Sequence, residues 1–187
     1  LVQLKNVVDV CEANDVLLVN VSGWEVYAGY QADQLIASEN LPQMPMGVLG
    51  ESKYLCEVLL GHHRRAYGLR YAMLRASTVY GSSAGKPRFI FNFLAKALAQ
   101  EDIAAHQYQN GYPRLDLLHA DDLAEAMIAV VQTGFEGVVN IGSGTAVSTT
   151  QVAEMLIAMT GSASRIQHRQ IQRHFANIVM DTTLARS

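Results

Sequence analysis

Residues 16–23 read V-L-L-V-N-V-S-G, a short and nearly continuous apolar run that stops at Ser22 and Gly23. Such runs are typical of strands in parallel sheets, because both faces of these sheets are covered. In the residues before it, apolar side chains recur at helical spacing, which predicts an amphipathic helix over 1–13. A helix that leads into a buried strand is therefore the first unit that the sequence predicts.

The same alternation continues along the chain. Further helices are predicted over 52–67, 87–99, 122–132 and 148–160. Further strands are predicted over 71–75, 115–118, 138–141 and 177–181. Ser148 with Gln151 and Asp122 with Glu125 form predicted capping pairs, and Gly161 is expected to end a helix. Strands that alternate with helices predict a Rossmann-type parallel α/β sheet with right-handed crossovers.

Composition narrows the class of protein. The 187 residues are half apolar and carry 14 Lys and Arg against 17 Asp and Glu, a formal net charge of -3 without a basic run. Nucleic acid is therefore not an expected partner. No apolar stretch approaches the roughly 18 residues of a membrane span, and the first residues lack the order of a signal peptide. We expect a cytoplasmic protein that does not bind membranes, with Cys11 and Cys56 as reduced core thiols and no metal site.

Ligands of parallel α/β sheets bind beyond the carboxyl ends of the strands. In this chain the segments 22–27 and 76–81 follow two predicted strands at that edge. On the helix that lies between them in sequence, Leu49, Lys53 and Glu57 are spaced by one turn and share one face. A side chain at position 49 is therefore expected to meet Lys53.

Five stretches resemble one family. Residues 39–57, E-N-L-P-Q-M-P-M-G-V-L-G-E-S-K-Y-L-C-E, resemble the extended short-chain dehydrogenase/reductase pattern E-x-x-P-x-x-P-x-x-x-Y-G-x-S-K-x-x-x-E. The other four are 19–28 (V-N-V-S-G-W-E-V-Y-A), 74–81 (L-R-A-S-T-V-Y-G), 114–126 (R-L-D-L-L-H-A-D-D-L-A-E-A) and 140–144 (N-I-G-S-G). They are similar to the family's V-x-x-S-S-x-x-V-Y-G, L-R-x-x-N-V-Y-G, R-D-F-I-H-V-D-D-V-A-E-A and N-I-G-S-G. The chain thus resembles the NAD-dependent epimerase/dehydratase family of sugar-nucleotide enzymes.

The resemblance implies a mechanism with two altered positions. In this family a Tyr phenolate takes the proton of a sugar hydroxyl, a Lys one turn later stabilises the phenolate, and a Ser or Thr positions the hydroxyl. Leu49 stands at the Tyr position and Gly23 at the Ser/Thr position, while Lys53 is kept and Ser22 remains beside Gly23. Lys53 and Ser22 are therefore the expected catalytic residues. A positioned acid or base contributes roughly 10²- to 10⁴-fold in rate, so we expect impaired catalysis.

The resemblance also implies ligands. NAD or NADP is the expected cofactor, and a sugar nucleotide is the expected small-molecule partner. The implied cofactor-binding residues are Val21, Ser22, Lys53, Ala76 and Ser77. The family's glycine-rich cofactor turn is expected to precede Leu1, so the sequence does not distinguish NAD from NADP, nor does it indicate which sugar or nucleotide binds.

Three residues are implied as substrate contacts. Thr78 stands where the family has an Asn, and it can still hydrogen-bond a sugar or phosphate oxygen. Arg114 is the implied diphosphate clamp, but it precedes Asp116 by two positions rather than one, which would turn its side chain to the other face of a strand. Arg173 resembles a second diphosphate-binding arginine, and the alternative is a solvated position in a basic cluster.

Two domains and three functions follow from the resemblance. Residues 1–83 and 120–141 are assigned to the Rossmann domain, and 84–119 and 142–187 to a small substrate-binding lobe. A homodimer through the helices predicted at 1–13 and 52–67 is expected. The favoured function is a catalytically impaired epimerase/dehydratase homologue. The alternatives are an active enzyme with a displaced base, for which the candidates are Tyr27, Tyr54 and Tyr80, and a non-catalytic dimeric scaffold.

Overall fold

Helices and strands alternate along almost the whole chain, for which a computed structural model describes residues 1–30, 32–81 and 89–187. Its α-helices are α1 (Val2–Asn14), α2 (Gly47–Tyr67), α3 (Phe89–Leu98), α4 (Ala120–Thr133) and α5 (Thr149–Thr160). Its strands are β1 (Leu18–Gly23), β2 (Leu35–Ala37), β3 (Tyr71–Ala76), β4 (Thr78–Tyr80), β5 (Ile103–Gln107), β6 (Arg114–His119), β7 (Gly137–Ile141), β8 (Ala146–Ser148), β9 (Ile166–Gln170) and β10 (Ile178–Met180). Two 3-10 helices lie at Trp24–Tyr27 and Leu184–Arg186.

The central sheet has the order β1-β3-β7, and its strands are parallel. Every residue of β3 is buried, because helices cover both faces of the sheet. Leu74 and its neighbours on one face pack with α4, whereas Met73 packs with α1 and α2 through Val8 and Leu60. This layering confirms the predicted Rossmann-type parallel sheet.

A second layer lies around α3 and α5. These two helices pack against β5 through Phe93, Ala97, Ile103 and Ala153. Strand β5 pairs with β9 in parallel, β4 pairs with β6 in parallel, and β6 pairs with β8 in antiparallel orientation. Strand β10 pairs with β2, which ties the last strand of the chain back to the segment after β1.

Helix ends follow the predicted capping chemistry at two places and depart from it at another. Ser148 and Gln151 form the predicted capping box of α5, and Gly161 ends the helix in the left-handed region at φ 62. Asp122 does not cap α4. The N-cap residue of α4 is His119, whose ring accepts a hydrogen bond from the backbone N–H of Asp121.

Several boundaries differ from those predicted. Helix α2 begins at Gly47 rather than at residue 52, so Leu49 lies inside its first turn. Pro87, the predicted start of a helix, lies outside the described residues. The strands β2, β4, β5, β8 and β9 were not predicted. Within the described part of the chain, no helix is both long enough and apolar enough to cross a membrane.

Candidate functional site

Three segments meet at the carboxyl end of β1. Ser22 and Gly23 end that strand and lie beside Arg75 and Ala76 of β3. The first turn of α2 packs on the 3-10 helix that follows β1, where a Cβ on Gly50 would come within 2.6 Å of the Glu25 carbonyl oxygen. Glycine at position 50 therefore permits this approach, which brings the Leu49 turn next to the end of β1.

The face of α2 that carries the predicted site points away from the core at its first turn. The Leu49 side chain is 57% exposed. Lys53, one turn later, is half-buried, and its ammonium has no hydrogen-bond partner among the residues that the structure describes. Position 49 thus presents an apolar side chain where the resemblance places a phenol.

The space beside Gly23 is filled by a residue that sequence reasoning missed. A Cβ on Gly23 would lie 2.2 Å from Oε2 of Glu25, so this half-buried carboxylate occupies the volume that a Ser or Thr side chain would need. The only sequence signal was its position two residues after Gly23. A carboxylate cannot donate a hydrogen bond as a hydroxyl does, so it does not reproduce the missing group.

Ser22 belongs to a buried ionic network. Its hydroxyl is 2.5 Å from Oε1 of Glu57, to which it donates, and Ser22 is only 2% exposed. Glu57 also binds the Arg75 guanidinium, with 2.7 Å between Nη2 and Oε2, and accepts from Gln43. The hydroxyl of Ser22 therefore belongs to this buried network and donates to Glu57.

Charge and burial oppose each other in the same network. Burial by itself lowers the pKa of Arg75, but the Glu57 carboxylate more than compensates and the pKa lies above its ordinary value. Burial raises the pKa of Tyr27, against the effect of Arg75. Tyr27 is fully buried, and its hydroxyl contacts Nη1 of Arg75 at 2.5 Å and the Ser38 carbonyl oxygen at 3.1 Å.

The other expected cofactor residues surround the same strand ends. Val21 is 37% exposed on β1, whereas Ala76 and Ser77 are buried at the end of β3. The backbone N–H of Ser77 donates to the Ile141 carbonyl, but its buried hydroxyl has no partner in the described part of the chain. An unsatisfied buried hydroxyl beside an open strand end suits a site that a ligand completes.

Of the three expected substrate residues, Arg173 lines one of two neighbouring cavities, whereas Thr78 and Arg114 are among the lining residues of neither. The larger cavity, of about 480 Å³, has aromatic walls formed by Phe89, Phe93, Tyr108 and Phe175. The smaller one, of about 330 Å³, shares Phe175 and is lined by Arg173. Thr78 is half-buried on β4.

Arg114 lies away from both cavities. It is exposed, and its guanidinium donates to the Ala146 carbonyl oxygen at 3.3 Å. Leu115 lines the larger cavity instead.

The model of the NAD dependent epimerase/dehydratase family matches residues 2–142. The chain belongs to this family. A putative UDP-glucose 4-epimerase of Methanocaldococcus jannaschii is 30% identical over 145 residues, which cover 76% of this chain and 46% of that protein. A dTDP-D-glucose 4,6-dehydratase of Mus musculus is 30% identical over 149 residues, 79% of this chain and 41% of that protein. The chain thus spans less than half the length of these relatives.

The fold is shared with solved members of the family. The UDP-glucose 4-epimerase of Thermus thermophilus, solved as a complex with NAD, superposes with a TM-score of 0.81 at 22% identity. The superposition covers 95% of this chain and 60% of that one. At 22% identity this likeness shows a shared fold. It does not show shared chemistry, so the residues at positions 23 and 49 are considered on their own below.

Proposed function

We propose that this chain is an epimerase/dehydratase homologue that binds NAD or NADP and a sugar nucleotide but is impaired in proton transfer. One observation carries the proposal: the site keeps an available lysine at position 53 while Leu49 and the Gly23–Glu25 arrangement replace the two hydroxyl groups. A leucine has no proton to exchange. Binding and catalysis are therefore separated in this chain.

The cofactor half of the proposal rests on the strand ends. NAD, when bound, supplies a hydride acceptor. Lys53 would hydrogen-bond its ribose, and Val21, Ala76 and Ser77 would lie against it at the carboxyl ends of β1 and β3. The orphaned hydroxyl of Ser77 supports a polar ligand at this edge.

The substrate half rests on the two cavities. A volume of about 480 Å³ lies within the range of roughly 300–1,000 Å³ that small-molecule sites occupy. We assign the nucleoside of the sugar nucleotide to the larger cavity and its anionic part to the side of Arg173. Residues 1–83 and 120–141 would form the cofactor domain, and 84–119 and 142–187 the substrate lobe.

None of the three tyrosines considered as displaced bases is well placed. The Tyr27 hydroxyl is buried against Arg75, and its raised pKa disfavours the phenolate. Tyr54 packs against the core cluster that contains Tyr27, and Tyr80 lies edge-on to the His119 ring. This supports impairment rather than rescue by tyrosine.

The active-enzyme alternative is favoured by one group, the Glu25 carboxylate. It lies beside Gly23 and has no side-chain partner within residues 1–30, 32–81 and 89–187. A carboxylate is a weaker base for a sugar hydroxyl than a phenolate is. If Glu25 serves, the wild-type chain turns over and Glu25→Gln abolishes that turnover.

The first test is to restore the phenol. We expect Leu49→Tyr to raise turnover by roughly 10²- to 10⁴-fold, the contribution of a positioned acid or base, because Lys53 remains on the same face. Chromatography of the sugar-nucleotide products formed from UDP-glucose and from dTDP-glucose measures it. Leu49→Phe is the matched control, since it adds the ring without the hydroxyl. Substantial wild-type turnover with no gain from Leu49→Tyr would contradict impairment.

Ligand binding separates the proposal from a scaffold. A ligand present at 100 times its Kd stabilises the native state by about 2.7 kcal/mol, which shifts Tm measurably. NAD, NADP, UDP-glucose and dTDP-glucose are the probes. A scaffold that has lost small-molecule binding shows no shift with any of them.

We also propose a homodimer, with a cytoplasmic location. Leu1, Val2, Leu55 and Val58 are exposed around an apolar groove between α1 and α2, the helices expected to pair. A glutamate at its centre would place a charge in the interface, so Val58→Glu is expected to give a monomer in light scattering. Val131→Glu, at an exposed valine of α4, is the control and leaves the dimer intact.

A further inference from the structure

The carboxylate of Glu25 lies at the carboxyl end of β1, in the space where the resemblance places a Ser or Thr side chain. A Cβ added at Gly23 would overlap one oxygen of this carboxylate and would lie 3.4 Å from the Ala76 carbonyl oxygen at the end of β3. A hydroxyl oxygen at position 23 would be one bond beyond that Cβ. Glu25 thus brings a carboxylate oxygen to the place of the expected hydroxyl group.

Packing fixes where this side chain starts. The Glu25 carbonyl oxygen accepts the N–H of Ala28 at 3.2 Å, at the end of the 3-10 helix that follows β1. From the side of α2, a Cβ at Gly50 would come within 2.6 Å of that oxygen and 3.6 Å of the Glu25 Cβ. The backbone at position 25 is therefore held in place, and the carboxylate moves only by rotation of its own side-chain bonds.

The exchange of residues at this strand end removes hydrogen-bond donors. A Ser or Thr hydroxyl and a Tyr hydroxyl both donate, whereas a carboxylate only accepts and Leu49 does neither. The remaining hydroxyl, on Ser22, already donates to Glu57. The proposed function assigns the Lys53 ammonium to the cofactor ribose. A ligand group that pairs with Glu25 must therefore bring its own donor.

The two oxidation states of a sugar carbon meet this requirement differently. A hydroxyl group donates its hydrogen to a carboxylate in a charge-assisted bond, which is stronger than a neutral one. A keto oxygen has no hydrogen to donate. Beside a carboxylate it places two acceptors face to face, and both lose the partners that water would give them. The Glu25 carboxylate therefore favours the alcohol over the ketone.

We propose that Glu25 is a specificity-determining residue, which makes the chain select sugar nucleotides that present a hydroxyl rather than a keto group at this strand end. This rests on the proposed function, which places a sugar nucleotide in the site. It goes further by naming the oxidation state of the sugar that is recognised. Hydroxyl groups at positions 23 and 49 would offer donors to either state, so the preference is expected to depend on Glu25 itself.

Isothermal titration with ligands that differ at one sugar carbon tests the selection. Two similar proteins are named as a 4-epimerase and a 4,6-dehydratase, so the paired ligands differ at C4: dTDP-6-deoxyglucose against dTDP-4-keto-6-deoxyglucose, and the corresponding UDP pair. NAD is left out, so that no oxidation changes the ligands. We expect the wild-type chain to bind the hydroxy member of a pair at least about tenfold more tightly, the contribution of one charge-assisted hydrogen bond.

Glu25→Gln separates the carboxylate from the rest of the site. The side-chain amide has the same size, and it donates as well as accepts, so it can pair with either member of a ligand pair. We expect the ratio of the two Kd values to fall to within about threefold, chiefly because the keto ligand binds more tightly. Donors from any other part of the chain are common to both proteins and do not affect this comparison.

Glu51→Gln is the matched control. Glu51 is an exposed glutamate of α2, and on the helix it points about 200° away from Leu49. The variant makes the same chemical change and removes the same charge, so we expect the wild-type ratio to be retained. A general effect of net charge on nucleotide binding would appear in both variants and would change both members of a ligand pair alike.

The outcomes separate this inference from the proposed function. Equal binding of the hydroxy and keto ligands by the wild-type chain, or a ratio that Glu25→Gln leaves unchanged, overturns the role of Glu25 and leaves the proposed function standing. Failure to bind any member of either pair refutes the substrate half of the proposed function, and this inference with it. Should Glu25→Gln fail to fold, Glu25→Ala gives the same comparison, because it also removes the carboxylate.

Discussion

Beneath the end of β1, Glu57, Arg75 and Ser22 form a network in which each charged group is paired, and all three are nearly inaccessible to solvent. On the outward side of the same strand end, the side chains of Lys53 and Glu25 have no hydrogen-bond or ion-pair partner among the described residues. A network of paired polar groups and two side chains without described partners therefore adjoin the same strand end. The network below is a structural requirement, because a buried charge must be paired. The side chains of Lys53 and Glu25 are more exposed, so the fold does not require them to be paired.

The difference bears on the proposal that this chain keeps the family fold while its catalytic chemistry is impaired. A substitution in the buried network leaves a charge unpaired in a poorly solvated site, so the cost falls on folding. A substitution at position 49 exchanges one exposed side chain for another and costs the fold little. Position 49 can therefore depart from the family pattern while Glu57 and Arg75 stay paired.

The largest effect is expected from Glu57→Ala. Removing this carboxylate leaves the Arg75 guanidinium buried without its counterion, which we expect to lower the free energy of unfolding by about 3–5 kcal/mol. Urea denaturation followed by circular dichroism measures it. Glu57→Gln, which keeps the shape and some hydrogen bonds, should lose less. A loss below about 1 kcal/mol for the alanine variant would mean that the network is not a structural requirement.

Sequence patterns predicted the parts of the fold that bury apolar surface. The runs at 16–21 and 71–75 became β1 and β3, because buried parallel strands need continuous apolar residues. Strand β9 escaped prediction because I-Q-H-R-Q contains one apolar residue, and its pairing with β5 determines its conformation.

In the candidate site too, the sequence predicted the features that depend on local geometry and not those that depend on packing. Helical spacing predicted that Leu49 and Lys53 share a face, and strand alternation predicted that Arg114 turns away, since both depend only on local geometry. The direction of the Ser22 hydroxyl toward Glu57 depends on packing between α2 and the sheet. The placement of Glu25 beside Gly23 depends on the 3-10 turn between them. The periodicity of the sequence predicts neither the direction of the Ser22 hydroxyl nor the placement of Glu25.

A smaller effect is expected from Tyr27→Phe, at the edge of the buried network. The variant loses the hydrogen bonds of the hydroxyl to Arg75 and to the Ser38 carbonyl, at a cost of about 1–2 kcal/mol near neutral pH. Urea denaturation at neutral pH measures this cost. The variant also changes the dependence of stability on pH, because the pKa of Tyr27 is raised by burial in the folded state.

The sign of that pH dependence follows from linkage. A raised folded pKa means that the folded chain keeps the Tyr27 proton when the unfolded chain has lost it, so the contribution is fully present below pH 10 and is lost as pH rises through the folded pKa. Stability of the wild-type chain should therefore fall more steeply above pH 10 than that of Tyr27→Phe. Denaturation midpoints at about pH 9 and about pH 11 compare the two. Parallel curves would show that Tyr27 does not titrate differently on unfolding.

The smallest effect on stability is expected from Lys53→Met, on the unsatisfied side of the strand end. Its ammonium has no partner in the described part of the chain, so the substitution should change the free energy of unfolding by less than about 0.5 kcal/mol. The same variant should lose most of the Tm shift given by NAD, because the proposed ribose contact is removed. Lys96→Met, on the larger cavity, is the matched control and should keep that shift. A stability loss near that of Glu57→Ala would place Lys53 with the buried network rather than with the ligand site.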